Sequence, residues 1–184
     1  MAARFLWTQQ DPKRCLRYDC QNTPILLVEN SCLFMFNNIA LQEIIILTHL
    51  VVTVGMFAVI WFVQISHYPL LKYVPKDSFK EYERAHIYLV SFIVGPLMLI
   101  EVVTSGCLIF FSVDGLLLYL IWIGFLLVIV NWLSTLLFQI PCHRKLEMGK
   151  DDVAISRLIR TNWIRTISWS LRAAIAISII ILIK

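Results

Sequence analysis

Four long runs of apolar residues, separated by short polar segments, organise the chain. They cover residues 44–66, 79–111, 115–140 and 153–183, with approximate ends. A helix needs about 20 apolar residues to cross about 30 Å of hydrocarbon, and each run is long enough. None of the runs shows the alternation of polar and apolar residues that a barrel strand requires. The pattern therefore predicts an all-α fold, a polytopic membrane protein built as a four-helix transmembrane bundle.

Composition supports a lipid environment and excludes two other classes. Hydrophobic residues make up 59% of the chain and charged residues 15%, against about 45–50% and about 25% in soluble domains. The formal net charge of +4 does not indicate a nucleic-acid partner, because the basic residues lie between the apolar runs and form no single stripe. The five cysteines include no CxxC pair, so no zinc knuckle or disulfide framework follows. The lipid bilayer is the expected partner.

The first connection contains two helix breakers and a start signal. We expect Pro69 and Pro75 to end the first helix, because a proline removes a backbone donor and clashes with the preceding turn. Ser78 and Glu81 form an S-x-x-E pattern, which is typical of a capping box. The second helix should therefore begin near Phe79.

The later connections are shorter. Only residues 112–114 separate the second and third apolar runs, which predicts a tight antiparallel hairpin. Pro141 predicts that the third helix ends at Ile140. The acidic pair at 151–152 suits the positive end of a helix that begins near Val153.

Lysine and arginine in short loops favour the cytoplasmic side of a membrane. The two connections that follow the first and third helices are rich in these residues: Lys72, Lys76, Lys80, Arg84, Arg144, Lys145, Lys150 and Arg157. The opposite face has fewer: Arg4, Lys13, Arg14, Arg17 and Lys184. The bias predicts a multi-pass protein of the cytoplasmic (inner) membrane with both termini outside.

Residues 1–34 differ in composition from the rest of the chain. Their apolar stretch is short and is interrupted by Glu29, Asn30 and Ser31, so they do not form a secretory signal. We interpret them as an atypical N-terminal extension. Translation from Met35 is the corresponding hypothesis, and it leaves a single transmembrane domain over residues 35–184.

Ionisable residues within the apolar runs are few, and each needs a partner or a task because insertion costs about 2.5–3.5 kcal/mol at the bilayer centre. They are His49, Glu101, Arg165 and Arg172. At about 1.5 Å of rise per residue, Glu101 and Arg172 lie at a similar depth, which predicts an ion pair, with His49 nearby. Thr161, Ser168 and the two arginines recur on one face of the fourth helix, which should line the bundle interior.

A second polar group lies nearer the basic connections. Its members are Asn131, Gln139, Asn162 and Arg165, and three histidines lie at the same helix ends: His67, His86 and His143. These histidines could ligate a metal together with Glu83, or they could only form hydrogen bonds at the interface. The whole polar set could equally hold the helices together. No metal ligand and no cofactor is assigned from the sequence.

The C-terminal part of the chain resembles a known family. The residues that carry the resemblance are Thr135, the run Gln139-Ile140-Pro141-Cys142-His143, Leu146, the pair Asn162-Trp163, and Arg165. They resemble the anthrone-oxygenase-like family of four-helix membrane proteins. The segments QISHYP, YERAH and VGPLMLIE are similar to a looser group of bacterial four-helix integral membrane proteins.

The first resemblance implies a membrane-embedded, oxidoreductase-like enzyme acting on a flat aromatic or quinoid substrate that enters from lipid. It implies His67 or His86 as general base, with Asn131, Asn162 and Arg165 stabilising an oxyanion. The remaining polar residues would bind substrate or support the structure: His49, Glu101, Gln139, His143 and Arg172. An accessory or structural subunit and a small transporter stay open as alternatives, as does a homo-oligomer.

Overall fold

The computed structural model describes residues 25–111 and 115–183, with side chains from residue 39 onward. Within these ranges four helices are long and apolar enough to cross a membrane, and no strand is present. The predicted all-α, four-helix transmembrane architecture is confirmed. The predicted hairpin at 112–114 lies outside the described residues, as does most of the N-terminal extension.

Two of the four helices contain a π-helical turn. Helix α1 spans Ile25–Phe62 and continues through a π turn, Val63–His67, and two short turns, Tyr68–Leu70 and Leu71–Tyr73. Helix α2 spans Phe79–Ile109. Helix α3 spans Leu116–Ser134 and continues through a π turn, Thr135–Gln139, and the segment Ile140–Leu146. Helix α4 spans Asp152–Ile183.

The predicted starts of α2 and α4 are confirmed to within one residue. In α1 the described residues are already helical from Ile25, ahead of the predicted span at 44–66. Among the residues whose side chains are described, the segment Ile39–Tyr73 is long and apolar enough to span a membrane. The hydropathy pattern located the membrane-spanning part and missed the helical residues that precede it.

The prediction that Pro69 and Pro141 end their helices is wrong. Each proline is the second residue of the α-helical segment that follows a π turn. A missing backbone N–H is tolerated at that position. Both helices therefore continue past the proline, and they carry Tyr68 and His143 on helical extensions that face the bundle interior.

The predicted capping box at the start of α2 does not form. Ser78 has φ −96° and ψ −2°, whereas an N-cap residue normally has an extended conformation. Its hydroxyl donates a hydrogen bond to the Pro75 carbonyl at 3.4 Å. The helix nevertheless begins at Phe79, whose side chain is fully buried against Leu71 and Ile155 in an apolar cluster.

The helices α3 and α4 are antiparallel, and two hydrogen bonds fix their register. Arg172 donates from Nη1 to the Gly124 carbonyl, and Ser168 donates to the Leu127 carbonyl at 3.2 Å. Each step toward the start of α4 is matched by a step toward the end of α3. Arg165 therefore lies level with Asn131.

The basic connections lie together at one end of the bundle, which we call the basic end. Lys150 donates from Nζ to the carbonyl oxygens of Lys72 and Val74, at 2.6 and 2.8 Å. These bonds tie the α3–α4 connection to the end of α1. The polar residues described next lie between the basic end and the middle of the bundle.

Candidate functional site

The predicted ion pair between Glu101 and Arg172 is confirmed. Arg172 Nε lies 2.8 Å from Glu101 Oε1, and both side chains are 1% exposed. The same carboxylate accepts hydrogen bonds from Trp169 Nε1, at 2.9 Å to Oε2, and from the Thr53 hydroxyl, at 3.2 Å. Three helices thus contribute to one fully buried, charge-balanced group.

His49 joins this central group through α2. Its Nδ1 lies 3.0 Å from the hydroxyl of Thr104, three residues beyond Glu101 on the same helix. The contact agrees with the depth predicted for His49. Because these groups bridge neighbouring helices and neutralise one another, they have the character of interhelical bonds that hold a membrane bundle together.

Arg165 is a buried cation without an anionic partner. Its side chain is 5% exposed, and no carboxylate of the described residues lies within ion-pair distance. Its Nη1 donates to Asn162 Oδ1 at 3.3 Å, and its guanidinium carbon lies 5.0 Å from the centroid of the Trp169 ring. Its Nε has no hydrogen-bond partner. These contacts orient the guanidinium and leave its charge uncompensated.

Two asparagines accompany Arg165. Asn162 donates to Gln64 Oε1 at 2.9 Å, so its amide oxygen is turned toward the guanidinium. Asn131, level with Arg165 on the facing helix, is fully buried, and neither atom of its amide has a partner. A buried amide without partners is costly. The α3–α4 interface thus holds unused hydrogen-bonding capacity beside an unpaired cation.

A line of hydrogen bonds approaches Arg165 from the basic end. His143 Nδ1 lies 2.6 Å from Glu83 Oε1, and His143 Nε2 lies 3.2 Å from the Tyr68 hydroxyl. The hydrogen-bond network assigns the tautomer, because the carboxylate requires a hydrogen on Nδ1 of the neutral imidazole. Nε2 then accepts from Tyr68. The Tyr68 phenol neighbours the Arg165 guanidinium in turn.

The other two histidines pack beside this line. The rings of His67 and His86 stack with centroids 4.2 Å apart, and the rings of His86 and His143 are 5.5 Å apart. His67 Nε2 has no partner. Of the three histidines, His143 is the one that a carboxylate orients, whereas the sequence favoured His67 or His86 as base. Within the described ranges, no three His, Cys, Asp or Glu side chains are arranged to hold a metal ion.

A cavity of about 490 Å³ lies between α2 and α3, with α1 and Arg165 behind it. Ligand pockets typically have volumes of about 300–1,000 Å³. Most of its wall is apolar, and the apolar lining includes Met56, Ile60, Val90, Val94, Met98 and Trp132. Leu99 and Leu136 also line it, and both are more than half exposed on the outer face of the bundle. The cavity therefore opens sideways between α2 and α3, and at the basic end its wall continues to Arg144 and Glu147.

The polar part of the wall contains several of the predicted site residues: Tyr68, His86, Gln139, His143 and Arg165. Gln139 Oε1 and Trp132 Nε1 have no partners. The two π turns border the cavity through Val63 and Thr135. π turns within α-helices occur frequently at functional sites.

The structure divides the predicted site residues into three groups. His86, His143, Gln139 and Arg165 meet at the cavity; His67, Asn131 and Asn162 lie behind its wall; and His49, Glu101 and Arg172 form the central ion-pair group. Sequence reasoning missed Tyr68. The available signal was the spacing of four residues between Gln64 and Tyr68, which places both on one face of a helix. This signal applies only if the first helix continues as far as Pro69.

Comparison with protein-family models, with curated proteins and with solved structures gives no match to this chain. Fold and site together define an α-helical, multi-pass membrane protein with a lateral cavity whose wall is partly polar.

Proposed function

We propose that this protein is a membrane-embedded enzyme that binds a lipophilic phenol, enol or quinoid molecule in the lateral cavity and removes a proton from it. The apolar wall suits flat ring systems. The opening between α2 and α3 would admit them directly from the bilayer, where such molecules concentrate.

The observation that carries the proposal is the unpaired guanidinium of Arg165 at the wall of this cavity. A buried charge without a partner is strongly unfavourable. A ligand that develops negative charge on oxygen would neutralise it. Phenols and enols enter the membrane uncharged and acquire this negative charge only when they ionise in the site. In a dry site such a contact stabilises an oxyanion far more than it would in water.

The neighbouring groups supply the other half of the reaction. His143, oriented by Glu83, offers a base within the same wall. Asn162 holds the guanidinium in place. Part of the anthrone-oxygenase-like resemblance also lies here, because Gln139, His143 and Arg165 line the cavity. That coincidence supports a ring-bearing ketone or phenol as the substrate class.

The test is proton exchange at carbon, which needs no oxidant. Anthrone in proteoliposomes under argon loses a ring CH₂ proton to form its enolate and regains a deuteron from D₂O. We expect the wild type to accelerate deuterium incorporation over protein-free liposomes. Arg165→Leu should reduce the acceleration by about 10²–10³-fold, as expected for loss of one oxyanion contact.

Arg160→Leu is the matched control, because Arg160 lies on the same helix and is exposed. It should exchange anthrone protons at the wild-type rate. Exchange no faster than in protein-free liposomes would contradict the enzyme proposal and favour the accessory-subunit alternative.

The proposed orientation places the basic end in the cytoplasm and both termini outside the inner membrane. It rests on the lysines and arginines of the two connections. An alkaline phosphatase fused after Lys184 should be active in cells, and one fused after Lys150 should be inactive. The reverse pattern would overturn the orientation.

A further inference from the structure

We propose that Tyr68 is a catalytic acid–base residue of the cavity, controlled by Glu83 through His143. The role rests on the proposed function to the extent that a phenol or enol must occupy the cavity. It assigns the proton-transferring atom to the Tyr68 hydroxyl, a group to which the sequence patterns gave no role.

The geometry is a three-residue chain that ends at the cavity. Glu83 Oε1 lies 2.6 Å from His143 Nδ1, and His143 Nε2 lies 3.2 Å from the Tyr68 hydroxyl. Glu83 is fully buried, and Tyr68 is 4% exposed. A hydroxyl, a histidine that accepts its proton and a carboxylate that orients the histidine constitute the activated-hydroxyl arrangement found in many enzymes.

Arg165 distinguishes this tyrosine from an ordinary buried one. The phenol hydroxyl lies between a proton acceptor, His143 Nε2, and a neighbouring guanidinium. The guanidinium, and the imidazolium that forms once His143 has accepted the proton, stabilise negative charge on the tyrosine oxygen or on a ligand oxygen bound next to it. Because both Tyr68 and Arg165 line the cavity, one ligand oxygen can contact both side chains.

The proton step balances without a cofactor. The ligand O–H bond breaks, and its proton passes to the Tyr68 oxygen as the original Tyr68 proton passes to His143 Nε2. The products are a ligand oxyanion beside Arg165 and an imidazolium paired with Glu83. No electrons are exchanged, and the reverse transfers restore the starting state.

Glu83 acts as a positioning residue because it does not line the cavity. It fixes the imidazole tautomer and stabilises the imidazolium. Its second oxygen, Oε2, has no partner, so the carboxylate has a single polar contact, with His143. Glu83→Asp, which keeps the charge, should therefore retain more of the function than Glu83→Gln.

The ionisation of a bound phenol measures this role directly. The probe is 2-hydroxyanthraquinone, whose absorption band moves to longer wavelength when its hydroxyl ionises. The charged or titratable groups around Tyr68 come from all four helices: His67, Glu83, His86, Cys142, His143 and Arg165. The midpoint of probe ionisation is therefore compared between variants as a difference from the wild type.

We expect bound probe to ionise at lower pH in the wild type than in detergent alone. Tyr68→Phe should retain binding and raise the midpoint by about one pH unit, which is the effect expected from the loss of one charge-assisted hydrogen bond to the ionised probe. His143→Gln and Glu83→Gln should raise it as well, with Glu83→Asp between Glu83→Gln and the wild type. Tyr73→Phe is the matched control, because Tyr73 is 81% exposed, and it should leave the midpoint unchanged.

Two results would overturn the inference, and they are distinguishable. Binding with an unchanged midpoint in Tyr68→Phe would refute the role of Tyr68 and leave the cavity proposal intact. Absence of probe binding to the wild type would refute both. If Tyr68→Phe does not fold, His143→Gln decides, because this variant lacks the proton acceptor on which the role depends. An unchanged midpoint in His143→Gln would then refute the role of Tyr68.

Discussion

Arg165 and Arg172 lie two helical turns apart on the same face of α4, and only Arg172 has a carboxylate partner. Between them Trp169 donates its indole N–H to Glu101 and presents its ring to Arg165. One face of a single helix thus holds a neutralised arginine and an unpaired arginine. We infer that the first supports the bundle and that the second serves a ligand.

The two arginines should respond oppositely to removal. Arg172→Met leaves Glu101 buried without its cation, which should destabilise the protein by about 3–5 kcal/mol. Arg165→Met removes a charge that nothing neutralises, so the ligand-free protein should keep its melting temperature or gain several degrees. Thermal unfolding in detergent measures both, with Arg160→Met as control. An equal loss in the two variants would make Arg165 structural.

A side chain at Gly95 should fill the cavity. Gly95 lines it, and a Cβ built there has no atom within 4 Å. Gly95→Leu should therefore preserve the melting temperature and weaken 2-hydroxyanthraquinone binding at least about tenfold, which corresponds to 1.4 kcal/mol.

Gly106→Leu provides the control for this substitution. Gly106 lies on the same helix with equally open space, and it does not line the cavity. It should bind the probe as the wild type does. Equal binding by the two glycine variants would show that the probe binds elsewhere.

Asp151 makes a pH-dependent contribution at the start of α4. A hydrogen bond from Lys145 and a second from the Ala154 N–H lower the pKa of Asp151 below its ordinary value of 3.8. The stabilisation is therefore fully present above that value and is lost as the pH falls through the lower pKa of the folded protein. Asp151→Asn should lower the melting temperature slightly at neutral pH.

The same difference should vanish in acid, where the wild-type carboxyl is protonated as well. Melting temperatures of both proteins across this range test the prediction, with the connection residue Asp77 changed to Asn as control. A difference that persists unchanged in acid would show that Asp151 acts through something other than its charge.

Features that depend only on the position of residues along the chain were predictable from the sequence. Apolar runs determine the number of membrane-spanning helices, and the rise per residue sufficed to pair Glu101 with Arg172. The π turns were not predictable, because no residue pattern distinguishes them. One extra residue in a turn rotates everything after it by about 100°. That rotation governs where Tyr68 and His143 point, so the line from Glu83 to Arg165 emerged only from the structure.

The most direct test of the central claim compares two ligands that differ in one oxygen. Binding of 2-hydroxyanthraquinone and of anthraquinone is measured by titration for the wild type, Arg165→Leu and Arg160→Leu. If the cavity holds an unpaired cation, the wild type and Arg160→Leu should bind the hydroxylated ligand about tenfold or more tightly than anthraquinone. This is the difference in affinity expected from one charge-assisted hydrogen bond. In Arg165→Leu the preference should disappear. The same preference in all three proteins would contradict the assignment of Arg165 to a ligand site.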